Sequence, residues 1–331
     1  TGQDGSFLSH SLIKKGEKVL GVSRSSEPNL KNLETLSIAD KIRIIKGDLS
    51  NLEEIKKLLK RHNPKIIYNL SAQSSVGISL KKPYSTFKSI VDATINLLEA
   101  CRVSDFEGTI FFAGSSEIYG ETIEPASINS KIDLRSPYAL AKYQSYIQVK
   151  TYREIYNLKS VTGILFNHES YLRKKNFVTQ KIISGAIECK YKRSKQLRLG
   201  NLDIIRDWGC AEEYVEAIQA ITNTTCLKDQ IICSGRATSL KELVDIIFTY
   251  LNMSWKDYVV SDAKYFRKSD VRISVGNPDN LEKCIYINNT TYKKSYHNTW
   301  KQTEYFKPQE LQIIFSPLKK LILSLHKALQ I

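Results

Sequence analysis

Short apolar runs alternate with segments of helical periodicity along the first half of the chain. The apolar runs predict strands at residues 18–22, 42–45, 65–70, 109–113 and 161–165. Segments with helical spacing predict helices at residues 6–15 and 83–102. Because strands that alternate with helices pair in parallel through right-handed crossovers, we expect an α/β fold with a parallel sheet over residues 1–165. Residues 166–331 are expected to form a smaller α/β part, some segments of which can return to the sheet.

The first five residues read TGQDG and lead directly into the first predicted helix. Glycines before a helix let main-chain N–H groups approach a pyrophosphate. A dinucleotide-binding fingerprint also needs a strand and a first glycine upstream of Gly2, where this chain begins. The sequence therefore predicts a Rossmann-like doubly wound parallel sheet whose first strand is absent from the chain. Such an absence would leave the main-chain hydrogen bonds of the neighbouring strands unpaired.

The most informative stretch begins with the predicted strand at residues 109–113. This apolar run breaks into Gly114-Ser115-Ser116-Glu117. Ligands of open α/β sheets bind at the C-terminal ends of the strands. The sequence therefore predicts that the strand brings hydroxyls and a carboxylate to a ligand site.

A predicted helix completes the pattern. Ser136 is a candidate N-cap and Pro137 suits the first helical position, so Tyr138 and Lys142 fall one turn apart on one face. A neighbouring cation favours the phenolate, which would bring the tyrosine closer to neutral pH as an acid or base. With Ser115, such a pair can take a proton from an alcohol while a hydride leaves the same carbon for a nicotinamide. The alternative is a surface helix with a chance Tyr-xxx-Lys spacing, which the order of the elements disfavours.

Two strand ends suggest how the adenosine part of the cofactor would be held. Arg24 follows the strand at residues 18–22, and an arginine there suits the 2′-phosphate of NADP. Asp48 follows the next strand and could meet the adenine amino group or simply close a turn. Small polar residues at 71–75 leave room for the pyrophosphate and ribose.

Composition and charge narrow the partners. The 331 residues are 42% hydrophobic and 25% charged, which is ordinary for a globular protein. A net charge of +15 suits an anionic partner, either nucleic acid or a phosphate-bearing small molecule. The lysines are scattered and form no basic stripe, so we attribute most of the excess charge to a solvated lysine-rich surface and expect no nucleic-acid partner. The sequence shows neither an apolar run that could span a membrane nor a targeting segment, so we expect a cytoplasmic protein with no membrane partner. The six cysteines lack metal-ligand spacing, so reduced thiols and no metal are expected.

The second half of the chain is rich in hydrogen-bond donors. We expect a helix from residue 176 towards Cys189 and loops at residues 197–209 that could hold a nucleotide-sugar. Alternatively, Arg206 and Asp207 form a structural ion pair and Trp208 is a core aromatic. An apolar stripe at residues 318–329 predicts a terminal helix that docks onto the body or onto another subunit.

Seven segments resemble the extended short-chain dehydrogenase/reductases and, within them, the GDP-mannose 4,6-dehydratase family. They cover roughly the first two thirds of the chain in the family's order, and GQDG and FNHES are the most specific of the motifs. The matching segments are TGQDG (1–5), NLSAQSSV (69–76), SSEIYG (115–120), SPYALAK (136–142), GILFNHES (163–170), NFVTQK (176–181) and LGNLDIIRDWG (199–209).

The resemblance implies a role for each residue of the central motif. Tyr138 would be the base that deprotonates the mannose C4 hydroxyl, and Lys142 would lower its pKa and bind the nicotinamide ribose. Ser115 occupies the position of the family's catalytic threonine and keeps the hydroxyl. Glu117 would take the C5 proton and help expel the C6 hydroxyl as water, after which the same hydride returns to C6.

The resemblance also implies two sets of contacts. The cofactor contacts would be Gly2, Gln3, Asp4, Gly5, Arg24, Asp48, Leu49, Leu70, Ala72, Gln73, Tyr138, Lys142 and His168. The nucleotide-sugar contacts would be Ser74, Ser116, Asn167, Val178, Lys181, Arg206 and Arg267. A homo-oligomer, either a dimer or a tetramer, is implied as well. The chain departs from the family's pattern at residues 171–175, and at Ser23 and Asn32, where the family carries arginines.

The sequence thus predicts an NADP-dependent enzyme that dehydrates GDP-mannose to GDP-4-keto-6-deoxy-mannose. One alternative is an epimerase or reductase of another nucleotide-sugar with the same fold. A second alternative is a catalytically impaired protein that binds the nucleotide-sugar and NADP, and a nucleic-acid binder is a third.

Overall fold

A computed structural model describes residues 1–224, 227–266, 270–278 and 281. The helices are α1 (Gln3–Lys14), α2 (Lys31–Thr35), α3 (Leu52–His62), α4 (Val76–Lys81), α5 (Pro83–Phe87), α6 (Ala93–Val103), α7 (Pro137–Tyr156), α8 (Val178–Lys190), α9 (Ala211–Thr222) and α10 (Leu240–Tyr250). The strands are β1 (Leu20–Ser23), β2 (Arg43–Lys46), β3 (Ile66–Asn69), β4 (Thr109–Ser115), β5 (Ser160–Leu165), β6 (Asn167–Glu169), β7 (Leu197–Leu199), β8 (Ile205–Cys210), β9 (Gln230–Ile232), β10 (Ala237–Ser239), β11 (Val259–Ser261) and β12 (Ile273–Ser274).

The central sheet is parallel and has the strand order β3-β4-β5-β9. β9 comes from the second half of the chain and pairs with β5. The sequence analysis allowed for such a segment of residues 166–331 to return to the sheet. β1 and β2 form a separate two-stranded parallel sheet. The predicted α/β fold is therefore confirmed.

Helices cover both faces of the central sheet, as a doubly wound fold requires. Successive residues of β4 point to opposite faces because the side-chain period of a strand is two. Ile110 and Phe112 pack in a cluster with residues of α3, α6 and α7. Phe111 packs on the other side, with residues of β5 and α9. β5 is buried along its whole length, as is typical of a central strand in a parallel sheet that is covered on both faces.

The helix predicted at residues 83–102 is confirmed with one modification. α5 and α6 are joined by a π-helical turn at Lys88–Asp92. Two hydroxyls donate to the Ile90 carbonyl within this turn, from Thr94 at 2.6 Å and from Ser145 of α7 at 3.3 Å. The turn therefore fastens this helical segment to α7, the helix that carries the Tyr-xxx-Lys spacing.

The prediction of loops at residues 197–209 is wrong. This region contains β7 and β8, and β8 is the centre of a small sheet in which it pairs with β6, β10 and β12. The predicted pair of Arg206 with Asp207 is also wrong, because neighbouring strand residues point to opposite sides. Arg206 pairs with Asp270 at 3.1 Å, whereas the buried Asp207 accepts hydrogen bonds from Ser234 and Gly235.

Trp208 packs against the cluster between α8 and α10, as the core-aromatic alternative predicted. Its indole N–H donates to the Thr238 carbonyl at 3.2 Å. Arg267 and the apolar stripe at residues 318–329 lie outside the described residues.

Candidate active site

The C-terminal end of β4 forms one wall of the site. Gly114 lets β4 approach β5 closely, because a Cβ added there would lie 2.9 Å from Thr162 Cγ2 and 3.1 Å from the Gly163 oxygen. Ser115 ends the strand, and a 3₁₀ turn at Ser116–Tyr119 follows it. The Glu117 main-chain N–H donates to Ser115 Oγ at 3.4 Å. The strand end therefore places the serine hydroxyl and the glutamate side by side, as the sequence predicted.

α7 forms the facing wall. Its N-terminus follows the prediction, since the Ser136 side chain accepts from the Ala139 N–H at 3.1 Å and Pro137 lies in the first turn. Tyr138 and Lys142 lie on the buried face of the helix, with 7% and 6% of their surfaces exposed. The Ser115 hydroxyl is close enough to the Tyr138 phenol to lower its pKa. The residues that the sequence predicted as a triad are thus adjacent.

Lys142 is directed at the main chain of β4. Its Nζ donates to the Ala113 carbonyl at 2.8 Å and lies 5.8 Å from the centroid of the Tyr138 ring. Burial lowers the pKa of Lys142 to about 8, although the Asp4 carboxylate acts in the opposite direction. The ammonium therefore fastens α7 to the sheet beside the tyrosine.

Burial, rather than the charge of Lys142, has the largest effect on the pKa of Tyr138. Burial raises the pKa of Tyr138 to about 12, the nearby Ser115 hydroxyl only partly offsets this, and Glu117 adds to the increase. The reason is that the phenolate loses its hydration in this site and the nearby ammonium is engaged by the Ala113 carbonyl.

The N-terminus of α1 is open to a ligand. Gly2 is the N-cap, no side chain caps the helix, and a Cβ added at Gly2 or Gly5 would meet nothing within 4 Å. Main-chain N–H groups in such a place bind pyrophosphate. The site therefore fits the predicted dinucleotide, although the helix begins at Gln3 rather than at residue 6.

The side chains of Gln3 and Asp4 bind β6 and the residue after it. Asp4 Oδ1 lies 3.1 Å from His168 Nε2. Gln3 Nε2 donates to Asp4 Oδ1 at 2.9 Å and to the His168 carbonyl at 3.2 Å, and Gln3 Oε1 accepts from the Ser170 hydroxyl at 2.7 Å. The structure thus brings together Gln3, Asp4 and His168, all of which were predicted as cofactor contacts.

The strand ends predicted to hold the adenosine are close together. Arg24 is exposed after β1, and its charge reaches Asp48 after β2. Asp48 accepts from the Ser50 main-chain N–H at 2.9 Å, and this bond, aided by Arg24, lowers the pKa of Asp48. Asp48 therefore closes the turn after β2, which is one of the two roles that the sequence allowed for it. Leu49 and Leu70 pack against the core next to these strand ends.

The residues after β3 adopt an unusual backbone. Ala72 has a φ of +131°, a conformation that favours glycine and is found at ligand sites. The Gln73 side chain donates to Thr86 at 3.0 Å and accepts from the Ser75 N–H at 2.7 Å, and Ser74 is exposed. The loop is therefore shaped by its own hydrogen bonds.

The predicted nucleotide-sugar contacts lie on several elements of the second half. Asn167 begins β6, and Val178 begins α8. Lys181, one turn along α8, has its Nζ 4.1 Å from the centroid of the Tyr265 ring. Burial lowers the pKa of Lys181, and Asp262 partly offsets this. Ser116 is buried in the turn after β4.

Sequence reasoning missed three residues near the site, which are Tyr214, Glu169 and Arg173. Tyr214 of α9 stacks on His168 with ring centroids 4.5 Å apart. The Arg173 guanidinium lies 3.8 Å from the centroid of the Phe177 ring and 3.5 Å from the buried Glu169 carboxylate. Its positive charge also lowers the pKa of Asp4 and of Tyr138. The four-residue spacing of Glu169 and Arg173 was a signal in the sequence, whereas nothing local indicated Tyr214.

Two kinds of feature are absent from the part of the chain that the structure describes. No helix among the described residues is long and apolar enough to cross a membrane. No group of three or more His, Cys, Asp or Glu side chains among them could hold a metal ion.

A parallel sheet, a glycine-edged helix N-terminus, a Ser-Ser-Glu strand end and a Tyr-xxx-Lys helix together define the class of extended short-chain dehydrogenase/reductases. Among solved structures, the chain is similar to UDP-glucose 4-epimerase of Thermus thermophilus in complex with NAD. The TM-score is 0.75 at 21% identity, over 85% of this chain and 89% of that chain. At this identity the likeness shows the fold alone.

The family is shown by sequence. The GDP-mannose 4,6 dehydratase family matches residues 1–292. GDP-mannose 4,6 dehydratase 1 of Arabidopsis thaliana is 36% identical over 282 residues, which cover 82% of this chain and 78% of the relative. GDP-mannose 4,6 dehydratase of Homo sapiens is 35% identical over 304 residues, which cover 84% of this chain and 82% of the relative. The chain belongs to the GDP-mannose 4,6 dehydratase family.

Proposed function

We propose that this protein dehydrates GDP-mannose to GDP-4-keto-6-deoxy-mannose by an internal hydride transfer through bound NADP. The observation that carries the proposal is the convergence of three side chains at the end of β4. Ser115 and Tyr138 are both buried, the Glu117 N–H donates to the Ser115 hydroxyl, and Ser115 and Glu117 both act on the Tyr138 phenol. A reductase needs the hydroxyl pair alone, whereas a dehydratase also needs a carboxylate there. Membership of the family supports this assignment.

The cofactor would lie across the open end of α1. The N–H groups beside Gly2 and Gly5 would take its pyrophosphate, Lys142 its nicotinamide ribose, and Arg24 a 2′-phosphate, for which reason we propose NADP rather than NAD. When bound, the nicotinamide supplies the acceptor and then the donor of the hydride.

The residues of the site would divide the proton transfers between them. Tyr138 takes the proton of the C4 hydroxyl while Ser115 donates a hydrogen bond to that oxygen. The C5 proton is then acidic because C5 adjoins a ketone, and Glu117 accepts it and passes it to the departing C6 hydroxyl. One water leaves, the C4 hydride ends on C6, and the proton that Tyr138 took from the C4 hydroxyl is returned to C5, which restores the phenolate for the next cycle. The cofactor is therefore unchanged over one cycle.

We propose that the sugar nucleotide lies between α7 and α8. The proposed contacts are Asn167 of β6, Val178 and Lys181 of α8, and Ser74, Ser116, Arg206 and Arg267. Because Arg206 is already paired with Asp270, it would act on a ligand as part of that pair. A lysine is suited to bind a diphosphate as a point charge.

We also propose a homo-oligomer and a cytoplasmic location. Leu140 and Ile147 lie seven residues apart on α7 and are exposed, and Tyr84 at the start of the neighbouring α5 is 80% exposed. Exposed apolar side chains on adjacent helices suit packing against a second copy. Free cysteines, among them the buried Cys101, suit a reducing compartment.

The test is the mass of GDP-mannose after incubation with the protein and NADP. We expect the loss of one water without net reduction of the cofactor. Net formation of NADPH would favour a dehydrogenase, and an isomeric product of unchanged mass would favour an epimerase. Intact GDP-mannose with a folded, cofactor-loaded protein would contradict the assignment.

A further inference from the structure

A buried carboxylate that the proposed reaction does not use lies in the small sheet around β8. Asp207 of β8 has 0% of its surface exposed. Its Oδ1 accepts from the main-chain N–H of Ser234 at 2.8 Å and from the Ser234 hydroxyl at 2.7 Å. Its Oδ2 accepts from the main-chain N–H groups of Gly235 at 2.8 Å and of Gly276 at 3.4 Å. One side chain thus joins β8 to the loop after β9 and to the residues after β12.

The partners of Asp207 require an ionised side chain. Every group that it contacts in these bonds is a donor, and an ionised carboxylate can only accept. Burial raises the pKa of Asp207 to about 6, although the hydrogen bonds from Ser234, Gly235 and Gly276 act against the increase. At about pH 8 the side chain is therefore a carboxylate that matches all of these donors.

The residues around β12 connect Asp207 with the turn that carries Glu117. β12 pairs in parallel with β8 and lies against the 3₁₀ turn at Ser116–Tyr119. The Thr122 main-chain N–H donates to the Ile273 carbonyl at 2.9 Å. The buried Thr122 hydroxyl oxygen accepts from the Val275 N–H at 2.8 Å. The chain that leaves the Glu117 turn is therefore fastened to β12 by its main chain and by one side chain.

A second pair of main-chain bonds completes this connection. The Ala126 N–H donates to the Val275 carbonyl at 2.9 Å, and the Asn277 N–H donates to the Ala126 carbonyl at 2.9 Å. Gly276 lies between the two bonds and is closely packed, because a Cβ added there would lie 2.8 Å from Cys233 Sγ and from Phe166 Cε2. Close-packed interiors transmit displacement, so a shift of Gly276 should also move residues 122–126.

We propose that Asp207 is a positioning residue for Glu117, which it holds in place through residues 273–277 and Thr122. The inference rests on the proposed function, because that function assigns the C5 proton to Glu117. None of the hydrogen bonds that Asp207 makes to described residues goes to β4 or α7, which carry Ser115 and Tyr138. Loss of the Asp207 carboxylate should therefore slow the loss of water and leave the oxidation at C4 nearly unchanged.

The experiment separates the two steps in a single turnover at about pH 8, with NADP-loaded protein in excess over GDP-mannose. The absorbance of NADPH reports the oxidation at C4, and the mass of quenched samples reports the loss of water. The wild type is compared with D207N, which replaces one accepting oxygen by a donor, and with T122V. The T122V variant removes the acceptor of the Val275 N–H with little change in shape.

Both variants should show the same selective defect. Because a misplacement of about 1 Å can cost about 100-fold in rate, we expect D207N and T122V to lose water about tenfold or more slowly than the wild type. The rate of C4 oxidation should stay within about threefold of the wild type, so NADPH should accumulate during the turnover. A residue that only stabilises the fold would instead slow both steps together, through the fraction of folded protein.

D229N is the matched control for a buried carboxylate outside this connection. The Asp229 side chain is 7% exposed, accepts from the Thr162 main-chain N–H at 2.8 Å and pairs with Arg153 at 2.7 Å. Arg153 lies near the end of α7 that is remote from Tyr138. We expect D229N to be less stable than the wild type, whereas the ratio of its two rates should stay as in the wild type.

The possible outcomes are distinct. If D207N and T122V slow both steps equally, or slow neither, the inference is overturned. If D207N does not fold, T122V decides alone, because its side chain keeps the shape of threonine. A folded, cofactor-loaded wild type that does not dehydrate GDP-mannose would overturn the proposed function and the inference with it. Normal dehydration by the wild type without a selective defect in the variants would overturn the inference alone.

Discussion

Lys142 and Ala113 are joined by a hydrogen bond of 2.8 Å in which a buried ammonium donates to the main-chain oxygen of the central strand. Burial lowers the pKa of this lysine from 10.5 to about 8, a cost of about 3 kcal/mol. The bond recovers part of that cost, because an unpaired buried carbonyl costs about 1–3 kcal/mol. We therefore expect Lys142 to contribute little to stability, which agrees with its proposed role beside Tyr138.

The Lys142→Met variant tests this balance. We expect the free energy of unfolding to stay within about 2 kcal/mol of the wild type, because relief of the buried charge offsets the lost hydrogen bond. Turnover should fall by about 100-fold or more, because methionine can neither bind the nicotinamide ribose nor assist the Tyr138 phenol, the two roles proposed for Lys142. Denaturation and product formation measure the two effects. Lys150→Met, at an exposed position of the same helix, should change neither quantity.

The pH dependence of stability follows from the same lysine. Its folded pKa of about 8 lies below the unfolded value of 10.5, so the folded state binds fewer protons than the unfolded state between these pH values. Stability from this group therefore rises with pH over that window. From pH 7 to pH 10 the wild type should gain about 2–3 kcal/mol relative to Lys142→Met. Parallel stability curves for the two proteins would contradict the assigned burial cost.

Gly114→Ala tests the close approach of β4 and β5. The added methyl group would lie 2.9 Å from Thr162 Cγ2 and 3.1 Å from the Gly163 oxygen, so the strands must separate. We expect a loss of about 1–3 kcal/mol in stability and a drop in turnover, because Ser115 is displaced. Gly77→Ala in α4 is the control, since its nearest neighbour would be 3.8 Å away. That variant should be as stable as the wild type or more stable by about 0.5–1 kcal/mol.

Glu117→Gln tests the step that separates a dehydratase from other enzymes of the fold. The amide cannot take the C5 proton, so we expect dehydration to slow by about 100-fold or more. Oxidation at C4 should persist, so NADPH should accumulate up to one equivalent in a single turnover. Glu124→Gln, an exposed residue nearby, is the control. If the Glu117→Gln variant dehydrated GDP-mannose at the normal rate, a residue other than Glu117 would take the C5 proton.

Lys181→Met tests the proposed substrate contact on α8. Its ammonium lies 4.1 Å from the centroid of the Tyr265 ring, so the charge is held in one place. If Lys181 binds the nucleotide-sugar equally in the ground and transition states, the KM for GDP-mannose should rise by about tenfold or more while kcat changes little. Lys175→Met, at an exposed position, should leave both constants unchanged. A fall in kcat alone would argue for a catalytic role.

The sequence predicted those features that depend on local spacing. Ser136, Pro137 and the four-residue interval from Tyr138 to Lys142 fix a cap and a helical face, so their placement was confirmed. The position of Ser115 could also be predicted from the local sequence, because the apolar run of β4 ends at this residue and therefore places it at the strand end.

Features that depend on tertiary contacts were not predictable. β8 was missed because Arg206, Asp207 and Gly209 give it neither an apolar run nor a regular alternation. The direction of Lys142 and the pKa of Tyr138 depend on burial between α7 and β4, which no short segment of sequence encodes. The stacking of Tyr214 on His168 joins residues 46 positions apart for the same reason.

The most direct test of the account uses GDP-mannose that carries deuterium at C4. The protein is incubated with this substrate and unlabelled NADP, and the product is examined by mass spectrometry and proton NMR. We predict a product that is lighter by one water and carries the deuterium in its C6 methyl group. Loss of the deuterium to the cofactor pool or to solvent, or recovery of the intact substrate, would contradict internal hydride transfer.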